Sequence, residues 1–304
     1  VFKSVREQGS SIKMKIAYLG NWNKYAHSTE KLVKYSLEKL GHKVISIDER
    51  DFTIKDILNE KPDLFLFHKG TRWGRDVGYM VELLSKVTCK KAFWYFDPIT
   101  GIKEREMWMD LIIPYVDLGF MTNETWIRRH NYSNLRTLRQ GCDDQDKSLG
   151  KEIDKYKIDV AFTGSIYGDR EKFIEGLKSV YREKFKIFNN AFGKDFKDLC
   201  ASAKILIAPR FPNDDFFWSN RIYMTLGNGG FLIHPNFEGL KEEYEEGVHY
   251  VGYNTGKELK EKIDYYLEHE EERKKIQKAG YEHTIKNFNY TKRCQELLTQ
   301  LEKE

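Results

Sequence analysis

The sequence predicts an α/β protein made of two doubly wound, Rossmann-like halves in tandem. Three observations carry that prediction. Apolar runs alternate with helical patterns along the chain, which is the signature of βαβ units. Runs such as DLFLFH (63–68) and KAFWYFD (91–97) are apolar throughout, as strands are when a parallel sheet is covered on both faces. A polar, aperiodic stretch at 139–157 then interrupts the series before a second one begins. With 304 residues the chain is long enough for two domains of ordinary size.

The elements follow in order. KIAYLG (15–20) opens as a strand. Ser28 and Thr29 offer N-cap oxygens to the helix EKLVKYSLEKL, whose apolar positions 32, 33, 37 and 40 share one face. Gly41 ends that helix, and HKVISID follows as a strand. DLFLFH, KAFWYFD and LGFMT (118–122) continue the first sheet, with helical segments between them. RQGCDDQDKSLGKEIDKYK (139–157) reads as the connection between the halves. DVAFTGS (159–165) is a strand ending in Gly-Ser, and DREKFIEGLKSVY is a helix. FKIFN, DFKDLCASA and KILIAP carry the second series on, and residues 256–304 read as three helices.

SNRIYMTLGNGGFLIHP (219–235) places its glycines between a helix and a strand. A dinucleotide fingerprint needs the opposite order: strand, glycines, helix. Gly227 and Gly229–Gly230 are therefore a helix stop and a tight entry to a strand. The other end of that helix is the functional one. Ser219 or Asn220 stands at its cap and Arg221 in its first turn, an arrangement suited to an anion such as a diphosphate.

Composition narrows the classes. Hydrophobic content of 40% and charged content of 32% are those of a soluble globular protein. No run of about 18 apolar residues spans a membrane, and residues 1–13 lack the apolar stretch of a secretion signal. The four cysteines lie far apart without a C-x-x-C spacing, which points to reduced thiols in the cytoplasm and away from zinc. Cys142 lies in a polar stretch where exposure is open, and reads as a bystander. The net charge of +4 is too small to announce a nucleic-acid binder. Residues 1–150 hold 25 Lys and Arg against 20 Asp and Glu, and five of the six Trp. Basic residues among aromatics stack sugars or bases and hold phosphates, although core aromatics under a solvated surface give the same pattern.

NRIYMTLGNGGFLIHP, EGLKEEYEEGVHYVGY, the EERKKIQKAG helix and the closing Y-T-K-R resemble the C-terminal half of group-1-type glycosyltransferases, in the spore-maturation-protein-like branch. DVAFTGSIYGDR resembles the start of that domain, and FWYFDPIT and LRQGCD resemble its N-terminal partner and linker. The resemblance covers about residues 14–300 and is strong over 159–300. It implies the GT-B fold, two Rossmann-like domains facing a central cleft, and transfer of a sugar from a nucleotide-diphosphate sugar to an acceptor. No bound cofactor is implied; a UDP-sugar is the expected donor substrate, without a metal. Residues 1–13 are then a tag or disordered extension and 14–140 the acceptor-binding domain. Residues 141–157 are the linker, 158–288 the nucleotide-sugar domain, and 289–304 a helix packing back on the first half. Glycans, proteins, small metabolites and the modified bases of viral DNA are all open as acceptors. The sequence departs from the family at Met224, where many members carry a Glu that grips the donor ribose; a thioether accepts no such hydroxyl bond. That departure leaves a non-catalytic nucleotide-binding protein as the alternative reading, with a nucleotide-sugar epimerase as a third.

Ligands of open α/β sheets gather at the carboxyl ends of the strands. On the donor side this selects Gly164, Ser165, Arg170, Arg210, Asp215, Asn220 and Arg221. Asp214 and Asp215 make a poor cation cage, and no metal site is expected. The candidates for general base or electrostatic partner are His27 in the first loop, His68 at the end of the third strand and Asp97 at the end of the fourth. Lys69, Arg72 and Trp73 fit an acceptor-facing loop.

Overall fold

The computed structural model describes residues 13–22, 28–68, 77–166, 168–210 and 214–304. The first half runs β1 (Lys15–Gly20), α1 (Thr29–Lys39), β2 (Lys43–Asp48), α2 (Ile54–Glu60), β3 (Leu64–Phe67) and α3 (Val77–Lys86). It continues with β4 (Lys90–Tyr95), α4 (Lys103–Ile112), β5 (Leu118–Met121), α5 (Glu124–His130) and β6 (Leu135–Thr137). The six strands form one parallel sheet in the order β2-β1-β3-β4-β5-β6. Both faces are covered. Phe65, Phe67, Phe93 and Trp126 lie in one core layer and Ile16, Tyr18, Leu66 and Trp94 in the other, so these strands are apolar at successive positions through their buried stretches.

The second half runs β7 (Ile158–Phe162), α6 (Asp169–Tyr181), β8 (Phe185–Ile187), α7 (Lys194–Ser202), β9 (Ala203–Ile207), α8 (Arg221–Gly227), β10 (Leu232–Pro235) and β11 (Val251–Tyr253). Its parallel sheet has the order β11-β10-β9-β7-β8. Each sheet therefore reverses direction once, between β1 and β3 in the first and between β7 and β9 in the second. Those reversals open crevices at the strand ends, where ligands of doubly wound sheets bind.

Three helices close the chain: α9 (Gly256–Glu268), α10 (Glu270–Asn287) and α11 (Tyr290–Glu302). Thr255 caps α9 by accepting the Glu258 amide at 3.1 Å, and Asn289 caps α11 by accepting the Lys292 amide at 2.9 Å. Residues Tyr290, Cys294, Leu297, Leu298 and Leu301 of α11 are buried with the first half's strands, so the last helix packs beside α1. The crossing is pinned by two backbone bonds, Cys142 N–H to Phe288 O at 2.8 Å and Tyr290 N–H to Cys142 O at 3.1 Å. Cys142, in a stretch polar enough to suggest exposure, is instead fully buried against Gly227. Burial pushes its thiol up to about 12, leaving it an inert packing group.

The Gly-Asn-Gly-Gly turn is structural. Gly229 takes φ +75° and, with Gly230, returns its amide to the last carbonyls of α8 at 2.9 Å. A Cβ on Gly227 would come within 2.4 Å of Cys142 Cβ, so the residue is needed for close packing as well as for the helix stop.

Candidate functional site

At the second sheet's reversal, the ends of β7 and β9 lie side by side with Phe162 paired to Ile207. The chain leaves β7 through Thr163, Gly164 and Ser165. Gly164 has φ +119°, and a Cβ there would lie 2.6 Å from Nη2 of Arg221. That close approach is what the glycine permits. Arg221 Nη2 also donates to Thr163 O at 2.9 Å, and its guanidinium lies 5.2 Å from the Phe162 ring centroid. Arg170 is buried and donates to Ser165 O at 3.1 Å. Arg210, just beyond β9, bonds Asn236 O and Asp215 and lies 4.6 Å over the Phe237 ring. Arg170 and Arg221 thus meet at one glycine turn, and Arg210 stands at the neighbouring strand end.

His234 and Tyr253 report on that charge from beneath. His234 is buried and its imidazole is held down to about 3, by burial foremost and also by Arg221 and Arg210. The ring is therefore neutral, with Nδ1–H donating to Pro235 O at 2.8 Å. Below an ordinary histidine value of about 6.5, the unfolded chain takes up a proton that the folded one refuses. Stability contributed by neutral His234 is then complete above about 6.5 and falls as the pH drops, by about 2 kcal/mol at pH 5. Urea unfolding at pH 7.5 and pH 5 should show this loss, and His234→Gln should flatten it. The same loss in both proteins would show that the proton goes elsewhere.

Asn220 stands at the N-cap position of α8, but its side chain makes no cap bond. Its φ and ψ of −65° and 0° are not the extended values from which a cap side chain reaches back, which corrects the capping reading. The side chain instead reaches the Tyr290 hydroxyl. Asn220 and Met224 line a cavity of about 460 Å³ together with Gly193 and Lys194 at the start of α7 and Thr29 and Leu32 of α1. The cavity therefore lies where the two halves meet, at the start of α8, where Arg221 follows Asn220.

On the first half, His68 follows β3 at the reversal between β1 and β3. Its Nδ1 lies 2.9 Å from the Tyr18 hydroxyl and its Nε2 3.0 Å from Glu30 Oε1, with both His68 and Glu30 buried. Burial foremost, then the Glu30 charge, pushes the Tyr18 hydroxyl well up, so it remains protonated. Asp97 lies in the turn after β4, 46% exposed and 4.0 Å from Arg105 Nη2. His27, Lys69, Arg72 and Trp73 lie outside the described residues.

Two residues with clear roles had no sequence signal. Asn123 and Thr125 of the first half bond the carboxylate of Asp214 from the second. Nothing local in the sequence marks that Asp214 has a partner 91 residues away. Among the described residues, no group of three or more His, Cys, Asp or Glu is placed to hold a metal ion, and no helix is long and apolar enough to cross a membrane.

Residues 151–299 match the family described as "Glycosyl transferase-like". The second half of the chain thus carries a glycosyltransferase-like domain. The fold of the chain is that of GT-B enzymes over nearly its whole length. HepE of Anabaena, solved in complex with UDP-glucose, is similar with a TM-score of 0.67 at 12% identity, over 96% of this chain and 100% of that one. Sucrose-phosphate synthase of Thermosynechococcus elongatus gives 0.67 at 11% identity, over 96% and 99%. An α-glucosyltransferase solved with UDP and a 13-mer DNA gives 0.65 at 8% identity, over 96% and 100%. No curated protein matches the sequence. The arginines and the cavity lie within the matched half or against it, and His68 and Asp97 belong to the half outside it.

Proposed function

We propose that the chain is a glycosyltransferase that takes its sugar from a nucleoside-diphosphate sugar, with UDP as the nucleotide, and transfers it to an acceptor held by the first half. The observation that carries the reading is Arg221 lying over Gly164, with Arg170 and Arg210 at the same strand ends. Guanidinium groups bond phosphate oxygens in pairs and stay charged, so they can stabilise a departing diphosphate without a metal. The missing side chain at Gly164 lets phosphate approach backbone, and the cavity lined by Asn220 and Met224 has room for the nucleoside. The UDP and UDP-glucose complexes of the HepE relative support the choice of nucleotide.

On the acceptor side, His68 is buried with both ring nitrogens engaged, whereas the Asp97 side chain is 46% exposed beside Arg105, where an acceptor can reach it. Asp97 is therefore the better described candidate for handling the acceptor hydroxyl. The four free thiols, three of them buried, support a cytoplasmic location.

Thermal unfolding against UDP, GDP, ADP, CMP and TDP, with and without magnesium, tests the donor assignment. A ligand at about a hundred times its Kd adds roughly 2.7 kcal/mol. UDP should raise the midpoint equally with and without the metal. No shift with any nucleotide would overturn the donor reading and favour a protein that has lost the site at Met224.

A further inference from the structure

We propose that Asn123 is a positioning residue that fixes the acceptor-side turn and the donor-side arginine segment relative to each other. The proposal rests on the assignment of donor and acceptor to the two halves given above. Asn123 lies just past β5 at the N-cap of α5 and is fully buried, yet its side chain makes no cap bond. Both ends of its amide are used elsewhere. Oδ1 accepts the backbone N–H groups of Ile99 at 2.8 Å and Thr100 at 3.0 Å, and the Thr100 hydroxyl at 3.1 Å. Nδ2 donates to Asp214 Oδ2 at 2.9 Å. The orientation of the amide is unambiguous, because only oxygen can face two backbone N–H groups.

Each end of that amide leads to a working part. The turn held by Oδ1 begins two residues after Asp97. Asp214 opens the run that enters α8, and the first residue of α8 is Arg221. Asp214 Oδ1 accepts the Thr125 hydroxyl and, at 2.9 Å, the Phe216 amide, so the carboxylate organises its own segment while it is held by the first half. Arg139 donates to Phe216 O at 2.8 Å and lies 4.1 Å over the Trp218 ring, and Arg128 lies 4.0 Å over Phe216. Apolar contact would suffice merely to keep two halves together. A buried amide against a carboxylate is directional, and it repays desolvation only when the two are aligned. The pair therefore selects one relative placement of the halves, the placement in which both sites are assembled.

A polarity swap tests this. Asn123→Asp keeps an oxygen for Ile99 and Thr100 but sets a second carboxylate against Asp214. Asn123→Asp with Asp214→Asn reverses the donor and acceptor of that single bond and leaves every other bond a partner. The single variant should lose about 100-fold in kcat while its Kd for UDP stays within about 3-fold, since donor contacts are untouched. The swap should return kcat to within about 5-fold of the parent. Thr125→Val, which removes only the hydroxyl bond to Asp214, should cost about 10-fold in kcat with the same Kd. Parent-like kcat in Asn123→Asp, or a folded swap no better than the single variant, would overturn the proposal. If Asn123→Asp does not fold, the swap and Thr125→Val decide on the same criteria. If the parent binds no nucleotide, the donor reading has failed. Small-angle scattering then judges the latch: expansion in Asn123→Asp reversed by the swap supports it, and an unchanged radius of gyration overturns it.

Discussion

Arg221→Ala is expected to lower kcat/KM by about 1000-fold while leaving the fold intact. A charge-assisted hydrogen bond to an anion contributes roughly 1.5–3 kcal/mol to binding, or about 10- to 150-fold in Kd. The demand grows in the transition state, where the departing diphosphate gains charge, and removing one such donor typically costs about 100- to 1000-fold in kcat. Arg221 is placed for both effects, because Nη2 already lies over Gly164 and is steadied by Thr163 O and the Phe162 ring. Arg170 and Arg210 remain in the variant, so UDP should still bind, more weakly. Arg221→Lys should recover only part of the loss, since an ammonium is a point charge without the planar fork. Isothermal titration with UDP and steady-state transfer assays separate the two effects. An unchanged Kd and kcat would move the diphosphate away from the β7 turn.

The sequence was legible where structure is written in local patterns. The parallel strands read as continuous apolar runs because both faces are covered, so DLFLFH and KAFWYFD stand out without periodicity. Two short edge strands do not. Leu135–Thr137 lies at one edge of the first sheet and alternates Leu with exposed-side Arg and Thr, too short and too polar to register. Val251–Tyr253, at the edge of the second sheet, is likewise only three residues long. The glycines of 227–230 were readable because their order relative to helix and strand excludes a phosphate loop. The site was legible as a set of strand ends, since topology sends ligands there. What joins them was not. Arg221 over Gly164 and Asn123 on Asp214 are contacts between distant segments. Glu30 looks like any helix-surface carboxylate until the fold buries it against His68.

The largest effect on stability is expected from Glu243→Leu, a loss of about 3–5 kcal/mol. Arg293 of α11 and Glu243 form an ion pair whose side chains are 9% and 12% exposed. Glu243 also accepts the Tyr223 hydroxyl, which in turn accepts Trp218 Nε1–H at 3.0 Å. Arg293 Nε donates to Gln140 O at 3.1 Å, so one connected chain of bonds reaches from the segment before α8 to the residues that link the halves. Burial opposes the charge on Arg293, but Glu243 and its neighbours more than offset it and hold the guanidinium protonated. Without the carboxylate, a charged guanidinium stays buried beside that of Arg139, which burial already disfavours. The variant's unfolding midpoint should fall by about 8 °C, at roughly 2 °C per kcal/mol for a chain of this size. Glu243→Leu with Arg293→Met should regain most of that loss, because a pair replaced together by apolar groups leaves no orphaned charge. If the double variant were as unstable as the single one, packing around α11 and not the ion pair would be what holds the last helix across the two halves.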